Sequence, residues 1–320
     1  MLSHADPPLA LISMPRAGTF TVQDEWRYDG ASGTVIRRAP SAANLEHDAP
    51  SGSFVAVERQ ARTPGGYAVS TELAVRDRAG MSERVIYRAP LMFYWQGWSP
   101  DGRYAALWEV DFFSGSIDLD GRPLVVLDVM SGQRIGLGKT LLRGTTAWAA
   151  PHTLAFVSGK FRMVWDDKAL RLWSPERGVE EITPPGRVAF APAWSADGRS
   201  LYFASGPAGQ YDPLSFFNGR GIGDRTISIY DRLSREVTSL AHQAGYVDEG
   251  AQQSRDGTRL LVLRRRTVIA SEIGSIPDAP IEIWLTDPRG AHGTALVRTT
   301  HVGFGYYGWY PGPDSWDWSE

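Results

Sequence analysis

Histidines stand at positions 4, 47, 152, 242, 292 and 301, and no two of them are four residues apart. That spacing excludes a His-Glu-x-x-His zinc helix, in which two imidazoles must share one helical face. The chain has no cysteine, which excludes thiol catalysis, cysteine-ligated zinc and a disulfide framework. No Gly-x-Ser-x-Gly elbow occurs, and Gly30-Ala31-Ser32-Gly33 misses its spacing, so a serine hydrolase nucleophile is not expected. Two histidines remain of chemical interest. His242 and His301 precede neighbouring strand-like runs, one of which opens with Asp248 and Glu249. An imidazole beside a carboxylate can move protons or hold a metal, so His301, His242, Glu249, Asp248 and Tyr306 form the acid–base set. The structural alternative is that both histidines are polar residues of surface connections.

Two short motifs are weaker. Asp118-Leu119-Asp120-Gly121 has the alternating carboxylates and glycine of a calcium loop but lacks a later acidic ligand, and reads first as an Asp-Gly turn. Gly219-Arg220-Gly221-Ile222-Gly223-Asp224 lacks the spacing of a dinucleotide loop and a helix behind it. Neither motif implies a cofactor, and none is expected.

The elements that must position these residues declare themselves through a repeat. Trp98-Ser99-Pro100-Asp101-Gly102-Arg103, Trp194-Ser195-Ala196-Asp197-Gly198-Arg199 and Gln253-Ser254-Arg255-Asp256-Gly257-Thr258 each precede a short apolar run. An Asp-Gly pair between two such runs is a hairpin turn, because glycine accepts positive φ and aspartate bonds its own backbone. Weaker copies at Ser51-Gly52 and Pro151-His152 bring the turns to positions 51, 101, 151, 197 and 256, the spacing of four-stranded propeller blades. The run after each turn is apolar on both faces, as in Tyr104-Ala105-Ala106-Leu107-Trp108, which suits a strand buried between neighbouring sheets. A third strand recurs with aspartate at its end, as in Val125-Val126-Leu127-Asp128 and Ile227-Ser228-Ile229-Tyr230-Asp231.

The expected fold is therefore all-β: one six-bladed β-propeller domain of four-stranded antiparallel blades covering residues 1–320. Five blades fall at about 41–90, 91–140, 141–185, 186–240 and 241–302. The sixth is shared: residues 1–40 supply its outer strands and residues 303–320, through Gly303 to Pro311, supply its inner strand and close the ring.

Propeller topology places the long connections 110–122, 206–225 and 265–280 on the same face as the starts of the inner strands, away from the Asp-Gly turns. Asp111, Phe112, Tyr211, Asp212 and Phe216 belong to those connections. Glu46, His47, Trp95, Gln96, Arg143, Phe190, Glu249, Tyr306 and Tyr307 would ring the channel mouth beside them, a set suited to a small molecule or peptide. The alternative is that the aromatics plug the channel and the charges are solvated or paired. Arg264-Arg265-Arg266 reads as a solvated strand end.

A net charge of −3 and a pI near 6.1 give no basic field for nucleic acid or an anionic membrane. The first residues lack the basic region of a secretory signal, and Leu9 to Met14 is too short to span a bilayer. As written the chain is expected in the cytoplasm, or in the periplasm or secreted if a leader has been removed, and as a monomer.

The Trp-Ser-x-Asp-Gly-Arg motif followed by two apolar strands resembles the repeat of the TolB-type propellers of bacteria, a relative of the WD-type repeat, over nearly the whole chain. In that family the repeat residues are structural, so no functional residue is implied through them. Such propellers bind proteins, gate substrates or act as scaffolds. The resemblance implies a non-enzymatic module that binds a protein, peptide or small ligand through its long-loop face. The alternative is a propeller enzyme acting on a small molecule at the channel mouth.

Overall fold

The computed structural model describes residues 11–15, 23–29, 34–38, 45–63, 66, 68–80, 82–111, 120–141, 144–161, 166–208, 225–266, 281–298 and 316–317. Its repeating unit is the Asp-Gly turn. Ser99 Oγ donates to Asp101 Oδ1 at 2.5 Å and accepts the Tyr104 amide at 2.9 Å, while the Asp101 carboxylate accepts the Arg103 amide at 3.1 Å. Ser195 with Asp197, and Ser254 with Asp256, repeat the pattern, each serine donating to its aspartate at 2.6 Å. Gly102 occupies φ +70°, where a side chain would be strained.

Strands flank these turns. The first three are Leu11–Pro15 (β1), Gln23–Asp29 (β2) and Thr34–Arg38 (β3). Next come Glu46–Asp48 (β4), Phe54–Arg62 (β5), Ala68–Asp77 (β6) and Glu83–Arg88 (β7). Met92–Trp98 (β8), Tyr104–Val110 (β9), Arg122–Asp128 (β10) and Arg134–Thr140 (β11) follow. Thr146–Ala149 (β12), Thr153–Ser158 (β13), Ala169–Ser174 (β14) and Gly178–Glu181 (β15) make another set. Arg187–Trp194 (β16), Ser200–Pro207 (β17), Thr226–Asp231 (β18) and Val237–Ser239 (β19) come after. The last set is Tyr246–Gln253 (β20), Leu260–Arg266 (β21), Ile281–Thr286 (β22) and Thr294–Arg298 (β23), with Trp316–Asp317 (β24) beyond.

From β4 to β23, each successive group of four strands forms one up-and-down antiparallel sheet. The remaining sheet has the order β24-β1-β2-β3, with Leu11 opposite Asp317 and Ile12 opposite Trp316. The sequence placed the partner of the N-terminal strands at residues 303–311, which lie outside the described residues. The chain is therefore all-β in its described part, built of four-stranded antiparallel sheets. It divides into two compact units, residues 43–194, and residues 1–42 together with 195–320.

Within residues 43–194 the two-sided burial of the second strand has a direct reading. All seven residues of β9 are buried. Ala105 and Leu107 pack with Ala56, Leu73 and Val75 of one neighbouring sheet, while Tyr104 and Ala106 pack with Leu154, Phe156 and Trp173 of the other. Successive side chains of a strand point to opposite faces, so a strand between two sheets must be apolar at every position. Each large side chain removed from water this way contributes about 1.5–3 kcal/mol. The motif tryptophans tie neighbouring sheets together: Trp98 Nε1 donates to the His47 carbonyl at 3.0 Å and Trp194 Nε1 to the Ala147 carbonyl at 3.1 Å.

The turn at Pro151-His152 has replaced the Ser-x-Asp pattern with an ionic tie. His152 Nδ1 lies 2.8 Å from Asp101 Oδ2, and its Nε2 lies 2.8 Å from Glu176 Oε1. Burial opposes charge on this imidazole, but the bonds to Asp101 and Glu176 outweigh it and raise its pKa above the ordinary value. Hydrogen bonds from Ser99 and His152 overcome the burial of Asp101, and the bond from His152 acts on Glu176, so both carboxyls are held below their usual range. A raised histidine pKa means stability that is complete below its unfolded value of about 6.5 and is lost as pH rises through the native value. His152→Gln should therefore cost up to about 1 kcal/mol at pH 5.5 and much less at pH 8.5, measured by urea unfolding. An equal difference at both values would disprove the ionic tie.

Candidate functional site

The acidic pair at the start of β20 is held by a register fault. Asp248 lies opposite Arg264 and Gly250 opposite Leu263, so Glu249 is the extra residue of a bulge. Simple alternation would turn one of two consecutive acids outward, whereas the bulge turns both inward. Asp248 and Glu249 are 1% and 0% exposed.

Arginines meet them there. Arg264 Nε donates to Asp248 Oδ1 at 3.0 Å, and its guanidinium lies over the Trp284 ring, 5.0 Å from the centroid. Glu249 Oε1 accepts from Arg225 Nη2 and forms an ion pair with Arg265 Nε at 3.1 Å. The Asp248 amide donates to the Arg225 carbonyl at 3.0 Å, which ties the start of β18 to that of β20. Glu282 accepts from Tyr246 Oη at 3.1 Å and from Trp284 Nε1 at 3.0 Å. The reading of Arg264-Arg265-Arg266 as a solvated strand end is therefore wrong for two of the three: Arg264 and Arg265 are each 1% exposed, because inward carboxylates wait for them, and only Arg266 is exposed.

His242 joins this group, with Nδ1 3.1 Å from Asp248 Oδ2. That bond outweighs the partial burial of the imidazole and raises its pKa above the ordinary value. Of the expected acid–base set, the structure thus joins His242 directly to Asp248 and places Glu249 beside them. His301 and Tyr306 lie outside the described residues.

Five of the expected mouth residues are described within residues 43–194. His47 on β4 stacks on Trp95 of β8, with ring centroids 4.4 Å apart and planes 4° apart. His47 Nε2 lies 2.6 Å from Glu58 Oε1, and Glu58 Oε2 accepts from Ser70 Oγ. Glu46 pairs with Arg76 at 2.9 Å, and Gln96 Oε1 accepts from Thr146 Oγ1 at 3.4 Å. Phe190 is 1% exposed, so its ring packs in the interior instead of lining an opening. Glu58, Ser70 and Arg225 escaped sequence reading because each lies on a second or third strand, or just before one, away from the inner-strand positions that had been singled out.

The connections after β9 and β13 hold a further charged group. Arg122 Nη2 lies 3.2 Å from Asp120 Oδ2, and Arg122 Nη1 lies 3.4 Å from the exposed Asp111 Oδ1. Asp120, read as a possible calcium ligand, is a buried partner of that guanidinium; Asp118 lies outside the described residues. Lys168 is fully buried, donating to the Phe161 carbonyl at 2.8 Å and to Asp167 Oδ1 at 2.5 Å, and burial pushes its pKa below the ordinary lysine value despite the Asp167 charge. Phe112, Arg143, Tyr211, Asp212, Phe216 and Tyr307 lie outside the described residues. No group of three metal-ligating side chains occurs among the described residues.

No protein-family model and no curated protein matches the chain. Among solved structures, the chain is similar to dipeptidyl peptidase 4 of Porphyromonas gingivalis, at 11% identity and a TM-score of 0.51, covering 82% of this chain and 40% of that one. It is also similar to the β-propeller domain of the trilobed protease of Pyrococcus furiosus, at 14% identity and a TM-score of 0.45, covering 94% and 85%. TolB of Acinetobacter baumannii matches at 14% identity and a TM-score of 0.43, covering 92% and 69%. At such identities the likeness is one of fold: repeated four-stranded antiparallel sheets, with β-propeller proteins among the neighbours.

Proposed function

We propose that this chain is a six-bladed β-propeller of the TolB-like kind, closed by β1 and β24 in one blade. We further propose that it acts as a recognition module, taking a protein, peptide or small ligand where β20 begins and β21 ends. The observation that carries this reading is the buried group of Asp248, Glu249, Arg225, Arg264 and Arg265. Buried ion pairs contribute little net stability compared with apolar packing, so they are better understood as fixed charges than as props of the fold. At this group the role is binding and not proton transfer, because guanidinium groups already engage both carboxylates. Long stretches of sequence separate β17 from β18 and β21 from β22, and long connections on a rigid scaffold are where recognition concentrates. A net charge of −3 argues against nucleic acid as the partner.

The His242–Asp248 contact supports a second reading, an acid–base site on a small molecule, since a carboxylate on Nδ1 leaves Nε2 for the proton. A thermal-shift screen of short acidic, basic and neutral peptides, and of neutral and acidic sugars, separates the two. The wild type should gain about 2.7 kcal/mol at a hundred times the dissociation constant of a true ligand. Glu249→Gln should abolish that gain, and mass spectrometry should recover the ligand intact. A gain indifferent to Glu249→Gln would rule out this placement, and a chemically altered ligand would favour the second reading.

A further inference from the structure

The group around His47 has the parts of a general base, on residues separate from the Asp248 group. Glu58 is partly buried, its side chain 9% exposed, and both its oxygens are engaged, one by His47 Nε2 at 2.6 Å and the other by the Ser70 hydroxyl. A carboxylate at Nε2 holds the proton on that nitrogen and leaves the Nδ1 lone pair outward. Among the described residues Nδ1 has no hydrogen-bond partner. The ring cannot turn freely, because Trp95 lies parallel to it at 4.4 Å and Trp98 packs edge-on against Trp95. The His47 side chain is 18% exposed and that of Glu58 9%, so the imidazole is the more open of the two. Two other imidazoles contrast with it: His152 has both nitrogens engaged by carboxylates, and the carboxylate of His242 is shared with Arg264.

We infer that His47, oriented by Glu58 and locked by Trp95, is a general base that accepts a proton through Nδ1 from water or from a hydroxyl of a small uncharged ligand. An uncharged ligand suits the surroundings, because the Glu58 carboxylate is held by hydrogen bonds from His47 and Ser70, and Glu46 pairs with Arg76. Glu58 and Ser70 are positioning residues, since neither presents a free group to the ligand.

Hydrolysis of 4-nitrophenyl acetate provides a probe. His47 Nδ1 takes a proton from water as the water oxygen bonds to the ester carbonyl carbon. The bond to 4-nitrophenolate then breaks, acetic acid and 4-nitrophenolate leave, and the imidazolium returns its proton to solvent. The wild type should show a protein-dependent rate above that of buffer, followed as a function of pH. His47→Gln should lower that rate about a hundredfold, the smaller end of general-base effects. Glu58→Gln, which keeps the shape and removes the charge, should lower it about tenfold and displace the pH profile, while His152→Gln should leave it unchanged. Acylation of the wild type by diethyl pyrocarbonate, read site by site by mass spectrometry, provides a check that needs no variant: His47 should react about tenfold faster than His152. A wild type without a rate above buffer, a His47→Gln rate equal to wild type, or His47 reacting no faster than His152 would each overturn the assignment. None of these outcomes bears on ligand binding at Glu249.

Discussion

Glu249→Ala should lower stability by about 3–5 kcal/mol, seen as a large fall in the urea midpoint with little change in slope. The loss comes from what stays behind. Arg225 and Arg265 both converge on Glu249 Oε1, and both lie in the interior. Removing the shared carboxylate leaves two guanidinium groups to repel each other where water is scarce, and desolvated charge is what makes a broken buried pair costly. Glu249→Gln should cost less, because the amide oxygen can still accept one of the two contacts. A loss below about 1 kcal/mol for Glu249→Ala would place the pair in the range of exposed ion pairs and refute its description as a fixed internal charge.

Gly121→Ala is the other substitution with a large expected effect. A Cβ at this position would lie 2.4 Å from Lys160 Cα, 2.7 Å from the Lys160 carbonyl oxygen and 2.8 Å from that of Gly159. All three atoms are backbone, so no rotamer change relieves the overlap, and the two connections must move apart. Overpacking of this kind costs about 1–3 kcal/mol. The shift would also pull on Arg122 with Asp120 on one side and on Lys168 with Asp167 on the other. Gly136→Ala is the control: its Cβ would meet nothing nearer than the end of the Arg134 side chain at 3.8 Å. Calorimetry should show a lower melting temperature for Gly121→Ala than for Gly136→Ala, and equal melting temperatures would refute the close approach.

The strands and turns were legible because their causes are local. Ser99, Asp101, Arg103 and Tyr104 build a turn whose bonds span at most five residues, and the same local chemistry recurs at Ser195 and Ser254. Two-sided burial was likewise written into the runs that became β9 and β21. The site was legible in part: His242 drew attention because it precedes the strand that opens with Asp248 and Glu249, and it lies against Asp248. Arg225 reaching Glu249 was not legible, because their meeting depends on which strand starts the fold brings together. The burial of Arg264 and Arg265 depends on a bulge that no pattern in the residues announces. His47 was singled out for its place at the start of an inner strand. Its carboxylate partner lies across a turn on the next strand, and nothing at Glu58 in the sequence marks it as that partner.

The pairing of β1 with β24 has a consequence for synthesis. Leu11 and Ile12 leave the ribosome roughly 300 residues before the segment that pairs with them, which at about 5–20 residues per second is some 15–60 seconds. Throughout that interval one margin of the nascent β24-β1-β2-β3 sheet offers unpaired amide and carbonyl groups to whatever is near, including other nascent copies on the same message. Translation rate and chaperone supply should therefore govern how much of this protein reaches its finished state.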